Sequence, residues 1–244
     1  MKRDSILTIL MLLLMLATGT VSAANSATFR VTTKIFVGDQ VEAVSEHQIL
    51  FDQGLVYDVP RINRRFITLF DPAQKRVTLL DRETQVQTSI GTEDLVKITA
   101  QARAAVTTPL QRQKLGIEAK VESIKGTGYR VKFANLEYRT TTQKPDDPVV
   151  AADYAMFVDL ASRLNLVRRL GPPPFGRMTL HQRLAAQGEL PLELTLTLSG
   201  ENQSEHYRST HAVGALTDVD RATINEVRGF LALYRQVDLN AFPK

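Results

Sequence analysis

An α+β fold built on one large, curved antiparallel sheet is what the sequence predicts, from three observations. Apolar and polar residues alternate over long stretches, the period-2 mark of strands with one buried and one wet face. These runs are broken by turn clusters such as Gly38-Asp39-Gln40, Asp52-Gln53-Gly54 and Asp71-Pro72-Ala73-Gln74. Helical spacing replaces the alternation in only a few places. The expectation is about eleven strands and three to four helices in one domain over residues 24–244, with no linker or repeat dividing it.

The first element is a leader. Lys2 and Arg3 precede an apolar run over residues 6–16, and small residues lead to Val21-Ser22-Ala23. That layout reads as a secretory signal peptide over residues 1–23, cut after Ala23. The run is too short for a membrane span of roughly 20 residues, so cleavage is favoured over an anchor and no span is expected afterwards. The mature chain is then expected in the periplasm or secreted.

Residues 28–90 read as a meander of about six strands. Phe29, Val31, Ile35 and Val37 alternate with Arg30, Thr32 and Lys34 in the first. The second, over 41–51, turns Val41, Ala43, Ile49 and Phe51 inward. Leu55, Tyr57 and Val59 make a third, stopped by Pro60, which has no N–H for a ladder. Residues 65–70 are apolar on both faces, as in a central or helix-covered strand. Strands over 77–80 and 85–90 complete the set.

The period then changes. Thr92-Glu93-Asp94 supplies a cap and early acids for a helix over 93–106 with Leu95, Ile98 and Ala102 on one stripe. Strands return over 117–124, 129–133 and 136–142. Asp147 caps a second helix that has Pro148 in its first turn and buries Val150, Tyr154, Phe157, Leu160 or Ala161, and Leu164. Gly171-Pro172-Pro173-Pro174-Phe175-Gly176 is a stiff connector, read as a spacer in preference to a cavity lid or docking segment. A short helix over 180–186 follows. Leu192, Leu194, Leu196 and Leu198 then alternate with Glu193, Thr195 and Thr197, and residues 206–213 pair back as a hairpin. A last helix over 220–236 carries Ile224, Val227, Leu231 and Tyr234 on one face.

Composition excludes several chemistries. The absence of cysteine removes a lipobox, a thiolate metal site, disulfides and a cysteine nucleophile together. With 43% apolar residues the chain has enough to build a core. Its net charge of +4, scattered along the sequence, is no nucleic-acid footprint. His47, His181, His206 and His211 form no H-E-x-x-H pattern and read as surface residues, with His206 and His211 on opposite faces of one strand. No G-x-S-x-G, P-loop or dinucleotide fingerprint occurs. Asp146, Asp147, Asp218 and Asp220 precede helices, where capping explains them. Asn202-Gln203-Ser204 fits a glycosylation acceptor, although a hairpin turn explains it equally well. No residue here supports a catalytic role, and no cofactor is expected.

Apolar surface is what remains. Phe29, Ile35, Ile49, Phe51, Tyr57, Phe66, Phe70, Phe133, Tyr138, Leu192, Leu194 and Leu196 can face one side of the curved sheet. Either the helices fill that concave side or part of it stays open for an apolar ligand.

Phe70-Asp71-Pro72-Ala73-Gln74-Lys75-Arg76-Val77, with Phe51-Asp52-Gln53-Gly54-Leu55-Val56-Tyr57 before it, resembles the aromatic strand end and Pro turn of the bacterial lipoprotein-localisation carriers and their outer-membrane lipoprotein-sorting relatives. The resemblance spans about residues 27–215. It implies an eleven-strand half-barrel, helices on the concave side, and transport of acyl chains without a cofactor. The short helix that opens those carriers is missing here, and the closing helix is longer. The expected function is an exported, non-catalytic carrier of lipid or lipoprotein acyl chains, with lipid or an acylated protein as partner. The alternative is a cell-envelope scaffold that binds a protein and has no ligand cavity.

Overall fold

Strand pairing organises the molecule, as the alternation demands. The computed structural model describes residues 27–200 and 203–243. The leader read over 1–23 lies outside the described residues, as does Asn202 of the acceptor pattern. Six strands come first: β1 (Phe29–Val37), β2 (Ser45–Asp52), β3 (Leu55–Pro60), β4 (Phe66–Asp71), β5 (Arg76–Asp81) and β6 (Val86–Gly91). Helices α1 (Thr92–Ala104) and α2 (Pro109–Lys114) lead to β7 (Val121–Ile124), β8 (Gly128–Phe133) and β9 (Leu136–Gln143). Then come α3 (Pro148–Arg168), α4 (Phe175–Ala186), β10 (Leu190–Ser199), β11 (Ser204–Gly214), α5 (Asp218–Leu233) and a two-residue β12 (Arg235–Gln236).

All twelve strands form one open sheet in the order β12-β6-β5-β4-β3-β2-β1-β11-β10-β9-β8-β7. Every pair is antiparallel except β12 with β6. The chain thus lays down one half of the sheet, crosses to the far edge and returns, so that β11 closes against β1 with Thr33 opposite His211. Sequence reading missed three short elements, one of them a 3-10 turn at Leu239–Ala241. β12 is a two-residue extension held by the parallel contact with β6, and α2 is a single turn started by Thr108 and Pro109.

The sheet has two differently covered faces. On the inner face, α3 lies over β1–β6 and packs Val150, Tyr154, Phe157, Val158 and Leu164 on Phe29, Phe51, Phe70 and Leu79. Register decides this contact: Phe29 sits opposite Phe51, and their rings stack at 4.0 Å. Phe157 meets both Phe51 and Phe70 edge-on. Each such buried aromatic contributes about 1.5–3 kcal/mol. The cap is the expected one, Asp147 accepting from the Val149 amide ahead of Pro148. Farther along the same face, α4 covers Tyr129, Val131 and Phe133 with Leu180 and Leu184. Gly176 permits that approach, because a Cβ there would stand 2.2 Å from the Phe133 ring.

The last helix departs from expectation. It was placed with the others on the concave side, yet α5 packs on the outer face, where Ile224 and Val227 meet Leu50, Tyr57, Ile67, Leu69 and Leu80. Tyr57 therefore belongs to the outer row: it pairs with Leu50, and its hydroxyl accepts a hydrogen bond from Arg228 of α5 at 3.1 Å. Thr217 and Asp220 form a capping box at the start of this helix, and the buried Asp220 also accepts from Arg30 of β1. Gln87 donates to the Leu231 and Tyr234 carbonyls at its far end. Residues 65–70 are apolar on both faces for this reason, lying between α3 and α5.

Smaller corrections have local causes. Val41 is 91% exposed in the loop before β2 and is not an inward strand residue. In α1 the buried pair is Leu95 and Thr99, and Ile98 faces solvent. Leu192 sits at a bulge where the β9 register shifts between Pro191 and Glu193, so it leaves the Leu194–Leu196–Leu198 row and is half exposed.

Candidate functional site

The inner face is not covered evenly. Between the ground held by α3 and that held by α4, a cavity of about 620 Å³ opens over β1, β9, β10 and β11. Its floor is the run of alternate residues that register aligns across these strands: Leu136 opposite Leu198, Tyr138 opposite Leu196, and Leu196 in turn opposite Tyr207. Ile35, Thr33, Leu194 and Ser209 continue that floor. Gly171, Pro172 and Pro173 form the rim. The connector does link α3 to α4, as a spacer would. Arg169 at φ 57° and Gly171 at φ 70° turn the chain back so that its prolines also border the opening.

A second cavity of about 180 Å³ adjoins the first, and the two share Thr33, Ile35 and Arg177. Ile49, His47, Asp58, Tyr154, Phe157, Ser162 and Asn165 are among its other walls. His47 Nδ1 lies 2.6 Å from Asp58 Oδ1. Burial alone would lower the His47 pKa, but the hydrogen bond and charge of Asp58 outweigh it and raise the value above 6.5.

Between the cavities and α3 lies a polar cluster. His211, on β11, is 2% exposed. Ser209 Oγ is 3.1 Å from its Nε2 and also donates to the Leu194 carbonyl, so Nε2–H is the donor of the pair. Nδ1 is then the acceptor for the Tyr154 hydroxyl at 2.9 Å, with Thr33 Oγ1 at 3.3 Å. Burial, followed by the positive charge of Arg177, pushes the His211 pKa down to about 3. His181, from α4, is equally buried, its pKa lies well below 6.5 for the same two reasons, and its Nε2 has no partner among the described residues. These two histidines were expected at the surface. Tyr154 and the surrounding helices enclose them, and of the four histidines only His206 is exposed. Tyr154 is pushed up to about 12 by its burial.

Among the described residues, Arg177 is the one charged side chain that borders both cavities from within the inner face. Its Nε is buried with no hydrogen-bond partner among the described residues. Arg208 also borders the larger cavity but belongs to the outer row, with its guanidinium 4.3 Å above the Phe36 ring and a carboxylate partner in Glu193.

The twelve residues read from sequence divide into groups. Ile35, Tyr138, Leu194 and Leu196 line the larger cavity, and Ile35 and Ile49 the smaller. Phe29, Phe51 and Phe70 are core beneath α3. Phe66 is covered by Phe242 and by the Arg65 and Arg168 guanidinium groups. Phe133 is core beneath α4. Tyr57 is on the other face, and Leu192 is outside the row. Arg177 and Tyr207 were missed, and Leu136 and Leu198, which belong to the same inward rows, are not among the twelve. Leu136 and Leu198 followed from alternation, whereas a single arginine after a proline run carries no local signal.

No protein-family model matches this chain, and a search of curated proteins finds no match either. Among the described residues, no three His, Asp or Glu side chains converge to hold a metal ion. No described helix is long and apolar enough to cross a membrane.

Proposed function

We propose that this protein is an exported, non-catalytic carrier of lipid or acyl chains, which it holds on the inner face of a half-barrel-like sheet. The single observation that carries the reading is the 620 Å³ cavity floored by Leu136, Leu194, Leu196 and Leu198. Its size falls within the roughly 300–1,000 Å³ of small-molecule sites, and a mostly apolar lining with a few polar groups suits an acyl chain. The Pro172–Pro173 rim supports the same reading, since a stiff border keeps an apolar hollow from collapsing. The leader composition favours export to the periplasm or beyond.

A cell-envelope scaffold is the second reading, favoured by the way α3 fills the inner face over β1–β6. Native mass spectrometry of the purified chain, with lipid extraction, separates the two. A reproducible stoichiometric lipid that is lost on Leu196→Asp supports the carrier. A clean apo mass, with no uptake of added phospholipid or acylated peptide, overturns it in favour of the scaffold.

A further inference from the structure

We propose that the cavity's ligand is an anionic amphiphile, with its chain along Leu194, Leu196 and Leu198 and its acidic head on the Arg177 guanidinium. This inference rests on the carrier reading and specifies its ligand class. It starts from a mismatch of charge. A guanidinium beside apolar surface ordinarily finds a carboxylate or carbonyl, because a buried cation without a partner is costly. Arg177 Nε is buried and unpartnered among the described residues. Among the described residues no acid lines the larger cavity, and the one carboxylate of the smaller, Asp58, is taken by His47 at 2.6 Å.

The neighbours add to that cost. Instead of acids, Arg177 has buried imidazoles at hand, and its charge helps keep both His181 and His211 unprotonated. The site therefore sets a half-buried guanidinium, whose Nε has no partner among the described residues, at the junction of two hollows, with the leucine row leading away from it. An incoming carboxylate or phosphate supplies the absent partner, and a planar guanidinium binds either one in bidentate fashion. A neutral lipid would fill the apolar floor and leave the cation unpaired. A protein partner is the weaker occupant, since the cavity is a hollow bordered by prolines and not a flat face.

The test is a titration of the delipidated full chain with oleate and with oleyl alcohol, which differ only at the head, and with phosphatidylglycerol and phosphatidylcholine as a second pair. Oleate is expected to bind about 10- to 100-fold tighter than the alcohol, the range set by a charge-assisted hydrogen-bonded pair. Arg177→Gln should bring oleate to the alcohol's affinity, and Arg177→Lys should retain part of the preference. The comparison on the parent chain stands even if the glutamine variant fails to fold. Equal affinity for oleate and oleyl alcohol overturns the anionic class while leaving the carrier reading intact. Inorganic phosphate binding as tightly as oleate also overturns it, in favour of a free-anion site. No uptake of any of the four amphiphiles overturns this inference and the carrier reading together.

Discussion

Two neighbouring regions of the inner face start from the same sequence pattern and end differently. Over β1–β6 the inward row sets Phe29, Phe51 and Phe70 among aliphatic residues, and α3 seals it with Tyr154, Phe157 and Leu164. Over β9–β11 the inward row is Leu136, Tyr138, Leu194, Leu196, Leu198 and Tyr207; Leu180 and Leu184 of α4 cover one end of it, and beyond them Arg177 and the Gly171-Pro172-Pro173 segment border open space. The rows do not differ in apolar character. What differs is the covering element: a long helix supplies a large side chain at each turn, whereas an extended proline segment supplies almost none. An apolar strand row is therefore core or cavity according to what crosses it.

The largest effect should separate the regions by stability. Phe157→Ala, which removes the ring that bridges Phe51 and Phe70, is expected to cost about 3–5 kcal/mol in urea unfolding. Leu196→Ala in the open row should cost only about 1 kcal/mol, since that side chain already borders empty space. Equal costs would break the comparison.

The boundary between the regions should show in pH dependence. His211 has a folded pKa of about 3 against an ordinary 6.5, so below 6.5 the unfolded chain takes up a proton that the folded chain refuses. Its contribution to stability then falls by about 1.4 kcal/mol per pH unit as pH drops from 6.5 toward 3. His181 acts in the same direction. Unfolding of His211→Gln at pH 6.5 and 5 should show a shallower decline than the parent, and an unchanged slope would place His211 in contact with water.

Binding should separate the regions next. Leu196→Asp is expected to weaken retained lipid by about tenfold or more, or 1.4 kcal/mol, with a melting temperature close to the parent's. If lipid uptake falls only when α3 residues are changed, the open row is not the site. The smallest effect concerns the rim. Pro173→Ala should cost about 0.4–1 kcal/mol by freeing the unfolded chain, and it should speed lipid exchange a few-fold in a stopped-flow transfer assay. A lipid exchange rate identical to the parent's would make the segment a connector alone.

Much of the fold was legible because strand signals are local. Alternation from Phe29 to Val37 and the Asp-Pro turn at Asp71-Pro72 need no knowledge of the rest of the chain, and neither does the Asp147–Pro148 cap. The site was half legible. Leu194 and Leu196 were recoverable from period two, as Leu136 and Leu198 would have been. Tyr57 shows the limit: its strand is apolar on both faces, so the pattern could not say which face α5 would take. His211 shows another, since alternation set its face and only Tyr154, 57 positions earlier, made that face a buried one.

By itself, then, the sequence determined the strands, their turns and which residues share a row, because these follow from backbone geometry over a few neighbours. Tertiary structure alone decided which row α3 would fill, that α5 would cross to the outer face, and that Arg177 would stand beside the leucines, its Nε without a partner among the described residues. Those outcomes depend on contacts between segments far apart in the chain, and no local pattern encodes them.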